Sequence, residues 1–441
     1  RYRLEELDTA LHHLQLLKIK YHCVVDNPPY MGGRKMNEQL SDWVKRSYPN
    51  SKSDLMACFM QVGLKILHPK GFLGMINQHS WMFISSYERL RGELLSNTHI
   101  DTLLHLGPRT FPEIGGEVVQ NAAFTLRNQD PRESGVYFRL VDFDTSEAKR
   151  NKFLEAVINP ECGWAYKSNQ EDFSKIPGSP IGYWASKGLL ESFEKGKILG
   201  KHGEPRQGMA TTDNKRFLRR WYEVEFSKIG FSLSFEEATA SAFKWFPYNK
   251  GGGDRKWYGN NEYVVNYSND GSELKHVVKE KYRDRPYAKG FTAERWDKLI
   301  DTWVLKNKEF YFQKSITWSY ISTKSLSVRQ SPKGFIFDVS GSSLFVNEEI
   351  NLYVLGLLAS KVSGEFMNIL NPTMNIQAGD ISRIPLILGD QGDAIKVSID
   401  KLIDISKSEW DSRELSWDFS KMSLTKHRSD LVDEAFDLYT H

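Results

Sequence analysis

The chain has 441 residues, a formal net charge of +3, 40% hydrophobic and 26% charged residues. That composition excludes a disordered chain, and the length leaves room for two or three domains of roughly 100–200 residues. The near-neutral balance excludes a purely electrostatic nucleic-acid coat but not a local basic surface.

No apolar run approaches the ~18–20 residues that span a bilayer. Cys23, Cys58 and Cys162 are scattered and form no CxxC pair. This argues against a structural zinc site or a disulfide framework and predicts a reducing, cytoplasmic compartment. The chain opens on Arg1 without a Met or an apolar leader, and reads as a processed or truncated piece.

Leu4, Leu7, Leu11, Leu14 and Leu17 recur at helical steps, which predicts a helix over 1–20. A short apolar strand follows at 21–25 and stops at Asp26-Asn27-Pro28-Pro29-Tyr30, because two prolines cannot continue a ladder. Met31-Gly32-Gly33-Arg34-Lys35 reads as a flexible basic loop. Ser53 is placed to cap a helix over 54–67, with Leu55, Phe59, Val62 and Ile66 on one face, and His68-Pro69-Lys70-Gly71 stops it. A buried strand at 71–77, a helix at 86–96 and strands at 100–106 and 118–126 follow, the last two joined by a loop with Phe111-Pro112. Helices and strands alternating up to two successive strands indicate half of an open α/β sheet closed by an antiparallel hairpin.

Residues 130–200 read as a connector containing helices. Residues 200–390 change to short strands, many Gly, Asn and aromatics, and a loop over 249–258 that includes Gly251-Gly252-Gly253. The tail from about 391 is helical and amphipathic. Between 201 and 340 there are 25 Lys/Arg against 17 Asp/Glu, whereas 1–130 holds 15 against 13, so the basic excess sits mid-chain among aromatics.

Asn27-Pro28-Pro29-Tyr30 carries the chemistry. Ligands of open α/β sheets bind outside the carboxyl ends of the strands. An amide oxygen and a proline carbonyl there are two acceptors that can grip the N–H bonds of a conjugated amino group. That grip draws the nitrogen lone pair out of conjugation, and Tyr30 offers a flat face for stacking. Asp142, Asp144 and Glu147-Ala148-Lys149 echo a nuclease metal site, but the acids lie too close together to come from facing strands. There is no His/Cys cluster of zinc type and no Walker loop, so no metal is expected.

The motif resembles that of S-adenosylmethionine-dependent amino-methyltransferases, in which a flipped adenine occupies this pocket. Segments 51–55, 71–73, 80–83, 105–107, 115–120, 250–252, 255–260, 316–319, 371–373 and 379–381 extend the resemblance to the PglX-type methyltransferases of phage-exclusion (BREX) systems. The resemblance implies an α/β fold: the C-terminal half of a Rossmann-like methyltransferase sheet over 1–130 and a connector over 131–200. A mixed α/β target-recognition domain over 201–390 and a helical segment over 391–441 complete it. It implies site-specific adenine-N6 methylation of double-stranded DNA that marks host DNA, with other phage-defence proteins as partners. Asn27 and Pro28 would hold the N6 amino group and border the cofactor, Pro29 completes the motif, and Tyr30 would stack on the base. Phe111 would cover the base's other face, whereas Trp81 and Phe83 read as wall packing.

The family's glycine-rich cofactor loop lies upstream of the motif, and the 26 residues before Asn27 contain no glycine. The expectation is a catalytic half without the main cofactor half. Lys215, Arg216, Arg219, Lys250, Arg255 and Lys256 are the candidate DNA contacts, since Lys and Arg on loops suit phosphates and Arg suits base edges. The alternatives are a catalytically inactive DNA- and partner-binding fragment, or a methyltransferase of RNA or of protein glutamine.

Overall fold

The computed structural model describes residues 7, 9–13, 15, 18–111, 119–131, 133–321, 326–373, 375–389 and 392–421. The chain divides into two compact units, 1–194 and 195–441.

In the first unit, the described residues between 7 and 18 are helical, and Leu7 and Leu11 are exposed. Leu4, Leu14 and Leu17 of the predicted stripe lie outside the described residues. Strand β1 (Tyr21–Asp26) runs into the prolines and stops. Helix α1 (Glu38–Ser47) starts at Asn37, whose side chain accepts from the Leu40 N–H. Helix α2 (Leu55–Lys65) is capped by Asp54 rather than Ser53. Asp54 is the last extended residue, and its carboxylate accepts the Met56 N–H.

Strand β2 (Leu67–Gln78) begins earlier than its sequence suggests. Its register against β1 jumps between Tyr21↔Leu67 and Cys23↔Phe72, so the segment with Pro69 and Lys70 bulges instead of ending the element. Helix α3 (Glu88–Asn97), β3 (His99–Gly107) and β4 (Asn121–Arg127) follow. The 115–118 part of the resemblance and the predicted first residue of β4 lie outside the described residues.

The stretch read as a connector supplies two further strands, β5 (Gly135–Arg139) and β6 (Ala165–Ser168), flanking helix α4 (Ser146–Ile158). The sheet order is β1-β2-β4-β3-β5-β6. Strands β1 and β2 are parallel, β4 is antiparallel to both β2 and β3, β5 is parallel to β3, and β6 is antiparallel to β5. The predicted hairpin of β3 and β4 therefore forms, with β4 inserted beside β2.

One face of this sheet is the core. Met56 and Met60 of α2 and Leu90 and Leu94 of α3 pack with Leu73, Met75, Leu103, Phe124 and Leu126. The intervening strand residues Val25, Gly74, Ile76, Thr102, Leu104, Ala123 and Thr125 point the other way, and with Asn27 they line a cleft of about 420 Å³. Among the described residues, β1 is an edge strand, and Val25 is 81% exposed.

The second unit holds strands β7 (Lys197–Ile198), β8 (Gly203–Arg206), β9 (Leu218–Arg220), β10 (Trp245–Asn249) and β11 (Tyr263–Asn266). Strands β12 (Ser315–Trp318), β13 (Val328–Ser331), β14 (Ile336–Phe337), β15 (Ser343–Val346) and β16 (Pro385–Leu386) complete it. They form two four-stranded sheets, β14-β10-β11-β9 and β13-β12-β15-β8, and the pair β16-β7. The core between these elements is aromatic, with Phe217, Phe246, Tyr248, Tyr311 and Phe337 fully buried. Helices α5 (Glu348–Ala359), α6 (Lys361–Leu370) and the tail helix α7 (Gly392–Asp411) close the described chain.

Candidate functional site

The motif sits where β1 ends. Asn27 and Pro29 are exposed, Pro28 is buried and Tyr30 is half-buried. The Tyr30 ring packs against the core, and its hydroxyl accepts from the Asn121 amide at 3.4 Å. Burial raises the Tyr30 phenol above its ordinary range, and the Asp54 charge adds to the shift. The phenol therefore stays neutral at physiological pH.

The loop leaving Tyr30 is tied to the start of α2. The Met31 N–H donates to Asp54 Oδ1 at 3.0 Å, the Leu55 N–H to the Met31 carbonyl at 3.1 Å, and the Gly33 N–H to the Ser53 carbonyl at 3.1 Å. This basic loop, expected to be flexible, is thus pinned at its base. Asp54 is buried, and desolvation raises its carboxyl pKa despite opposing backbone hydrogen bonds, those from Met56 and Met31 foremost.

Phe111 is half-exposed in a bend after β3, and residues 112–118 lie outside the described residues. Among the described residues, no ring contact joins it to Tyr30. Trp81 and Phe83 are core residues, Trp81 standing edge-on to Phe124 at 5.0 Å.

Sequence reasoning missed a buried polar relay at the same end of the sheet. His79 Nδ1 lies 2.8 Å from His105 Nε2, and His105 Nδ1 lies 3.1 Å from the Tyr183 hydroxyl. Burial lowers the His79 pKa to about 4 and holds that of His105 well below the ordinary imidazole value. His79 and His105 are 26 residues apart, and no local pattern links them.

In the second unit the candidate cations differ in how they are engaged. Lys215 is exposed, and with Lys250, Thr211, Asn214 and Asp338 it lines a cleft of about 380 Å³. Arg216 pairs with Glu273 at 2.9 Å. Arg219 donates to the Lys215 and Leu218 carbonyls, each at 2.6 Å, and lies over the Trp245 ring. Lys250 pairs with the buried carboxylate of Asp338 at 2.8 Å. Arg255 donates to the Tyr258 carbonyl at 2.7 Å and the Ser406 carbonyl at 3.2 Å, contacts Glu409 and lies over Trp410. Lys256 donates to the Ala359 carbonyl at 2.6 Å. The glycine-rich loop is therefore clamped to α5 and α7 by two of its own basic residues.

Among the described residues, no group of three or more His, Cys, Asp or Glu side chains is placed to hold a metal ion. No strand pairs with the open side of β1 among the described residues.

The fold is that of restriction-modification methyltransferases. The sequence profile of the Eco57I restriction-modification methylases matches residues 2–111. The structure superimposes on that of the Type IIL restriction-modification enzyme MmeI in complex with DNA, with a TM-score of 0.56 at 13% identity, covering 95% of this chain and 53% of that one.

The chain resembles the PglX-type adenine-specific methyltransferases over nearly its whole length. It is 40% identical to the adenine-specific methyltransferase PglX of Lacticaseibacillus casei (strain Zhang), over 98% of this chain and 35% of the relative. It is also 40% identical to the adenine-specific methyltransferase BrxX of Escherichia coli O9:H4 (strain HS), over 97% of this chain and 32% of the relative. The chain thus spans about a third of the length of these curated relatives.

Proposed function

We propose that this chain carries the amino-group-gripping and target-recognition parts of a site-specific DNA adenine-N6 methyltransferase that marks host DNA in a phage-defence system. The observation that carries the reading is Asn27-Pro28-Pro29-Tyr30 at the carboxyl end of a parallel strand, in a chain 40% identical to adenine-specific methyltransferases over 98% of its length.

A flipped adenine enters between Tyr30 and a second aromatic, a role we give to Phe111. The Asn27 amide oxygen and the Pro28 carbonyl accept the two N6 protons. The nitrogen lone pair leaves conjugation with the ring and faces the methyl donor. Tyr30 stacks as a neutral phenol. Positioning and exclusion of water supply the rate.

S-adenosylmethionine, the family's cofactor, supplies an electrophilic methyl group. This chain's own part of the reaction ends at the prepared amino group, with Asn27 and Pro28 bordering the donor. The open edge of β1 and the bare cleft beside Asn27 fit a sheet completed by further strands and helices that bring the cofactor loop. The second unit reads DNA through Lys215, Arg216, Arg219 and Lys250, with Arg255 and Lys256 holding the loop that presents Lys250. Partners are double-stranded DNA and other defence-system proteins. The protein works in the cytoplasm, and no helix among the described residues is long and apolar enough to cross a membrane.

The same open edge favours a second reading, in which the isolated chain binds DNA and partners without catalysis. A tritium-transfer assay on adenine-containing duplexes, run on this chain and on the full-length protein, tests both. Transfer by the full-length protein alone is the expected result. Transfer by neither removes the methyltransferase reading, and transfer by the isolated chain removes the second.

A further inference from the structure

The motif's two prolines have no N–H, so the first hydrogen bonds that anchor the chain beyond Tyr30 decide where the motif rests. Those bonds converge on Asp54. A single oxygen, Oδ1, accepts the Met31 N–H at 3.0 Å and the Met56 N–H at 3.1 Å. The first donor belongs to the motif loop and the second to the first turn of α2. Asp54 is 8% exposed, so water competes poorly for either bond. Around it, Gly32 and Asp54 form an antiparallel bridge. A Cβ built on Gly32 would sit 3.6 Å from Asp54 Oδ2, so the loop backbone lies directly against the carboxylate.

The sequence places Asp54 only as the first residue of a helix capped by Ser53. A helix cap needs one acceptor for the N–H groups of the first turn. Asp54 performs that task and also reaches back across the chain to Met31. We infer that Asp54 is a positioning residue for methyl transfer, a latch that fixes the loop leaving Tyr30 to the start of α2 and so holds the Asn27 and Pro28 acceptors in place. This rests on the reading of Asn27 to Tyr30 as the amino-group site. Asp54 does not touch the base.

Substitution can separate capping from latching. Asp54→Asn keeps an oxygen at the same reach and is an equally good cap. Asp54→Ser keeps a cap acceptor but is one bond shorter, so it can serve Met56 without reaching Met31. Met31→Pro removes the donor and leaves Asp54 on α2.

Hydrogen exchange of a peptide over 27–36 reads the latch. Single-turnover methyl transfer and DNA affinity, measured on the full-length protein, read its effect. Asp54→Ser is expected to speed exchange in this peptide about tenfold. It should slow transfer about 10- to 100-fold at unchanged DNA affinity. Asp54→Asn should restore both readings, and Met31→Pro should slow transfer as the serine variant does. If the serine variant also loses protection in β2, the proline variant decides. Wild-type exchange in Asp54→Ser, or normal transfer in Met31→Pro, overturns the latch. A wild-type protein that transfers no methyl group overturns the functional reading instead, and the exchange result still judges the latch.

Discussion

His79 and His105 face each other across the carboxyl end of the sheet, Nδ1 to Nε2 at 2.8 Å, with the Tyr183 hydroxyl 3.1 Å from the other nitrogen of His105. Burial raises the Tyr183 phenol pKa far above its usual range, so it keeps its proton. Of the two facing imidazole nitrogens one donates and the other accepts, so the contact is lost when both rings are protonated.

Stability should therefore fall in acid. An unfolded chain protonates these histidines near pH 6.5, whereas in the fold His79 resists protonation down to about pH 4. Over that window the unfolded state binds more protons, so stability is lost as pH drops. For His79 the linkage is worth about 3 kcal/mol at most. His79→Gln should lower the melting temperature at pH 7 and narrow the gap to wild type at pH 5. A gap that stays constant between the two pH values would remove the relay as the acid-sensitive element.

Asn27→Ala should abolish methylation by the full-length protein while leaving DNA affinity nearly intact, because the amide oxygen serves the amino group and not the phosphates. Methylation sensitivity of a target plasmid and fluorescence anisotropy on a cognate duplex measure the two effects. Protection of the plasmid at near wild-type rates would refute the role given to Asn27.

Lys215 and Arg255 should separate on charge removal. Lys215 is exposed at the rim of a cleft, so Lys215→Gln should reduce the slope of log K against log salt by about 0.9 and leave the melting temperature alone. Arg255 is committed to Tyr258, Ser406, Glu409 and Trp410. Arg255→Gln should cost about 1–3 kcal/mol of stability, the usual scale for a charged hydrogen-bonding group, before any effect on the salt slope. An unchanged slope in Lys215→Gln would take this cleft out of the DNA surface.

Gly107 ends β3 with φ +67°, and a Cβ there would lie 2.9 Å from the Val141 Cγ1. Both the left-handed backbone and the contact oppose a side chain. Gly107→Ala should destabilise the protein by about 1–3 kcal/mol. Denaturant unfolding with an unchanged midpoint would contradict this.

The sequence made β1, its abrupt end and the antiparallel hairpin legible, because prolines and apolar runs act over a few residues. It did not reveal β5 and β6, which are five and four residues long and are defined by their neighbours in the sheet. Asp54 was legible only as the start of the helix over 54–67, because its bond to Met31 spans 23 residues and leaves no local trace. The glycines around Gly251 read only as a loop signal. Those glycines instead permit close approach: Gly251 and Gly252 have φ +86° and +125°, where a Cβ would meet Ser340 and Asn260. Arg255 then reaches partners about 150 residues away, beyond any sequence window.

Among the described residues, β1 has a neighbour on one side only, so it has half the ladder of an interior strand. The segment that must be placed most accurately therefore follows an edge strand of its sheet. Asn27 stands between the end of that strand and the Met31–Asp54 bond that pins the following loop. A segment pairing along the flank of β1 would add hydrogen bonds to the strand that ends at Asn27, without touching Asn27 at all. Flank occupancy can thus tune the reaction at a distance from the reacting atoms, and a change on that flank would alter rate before it altered affinity.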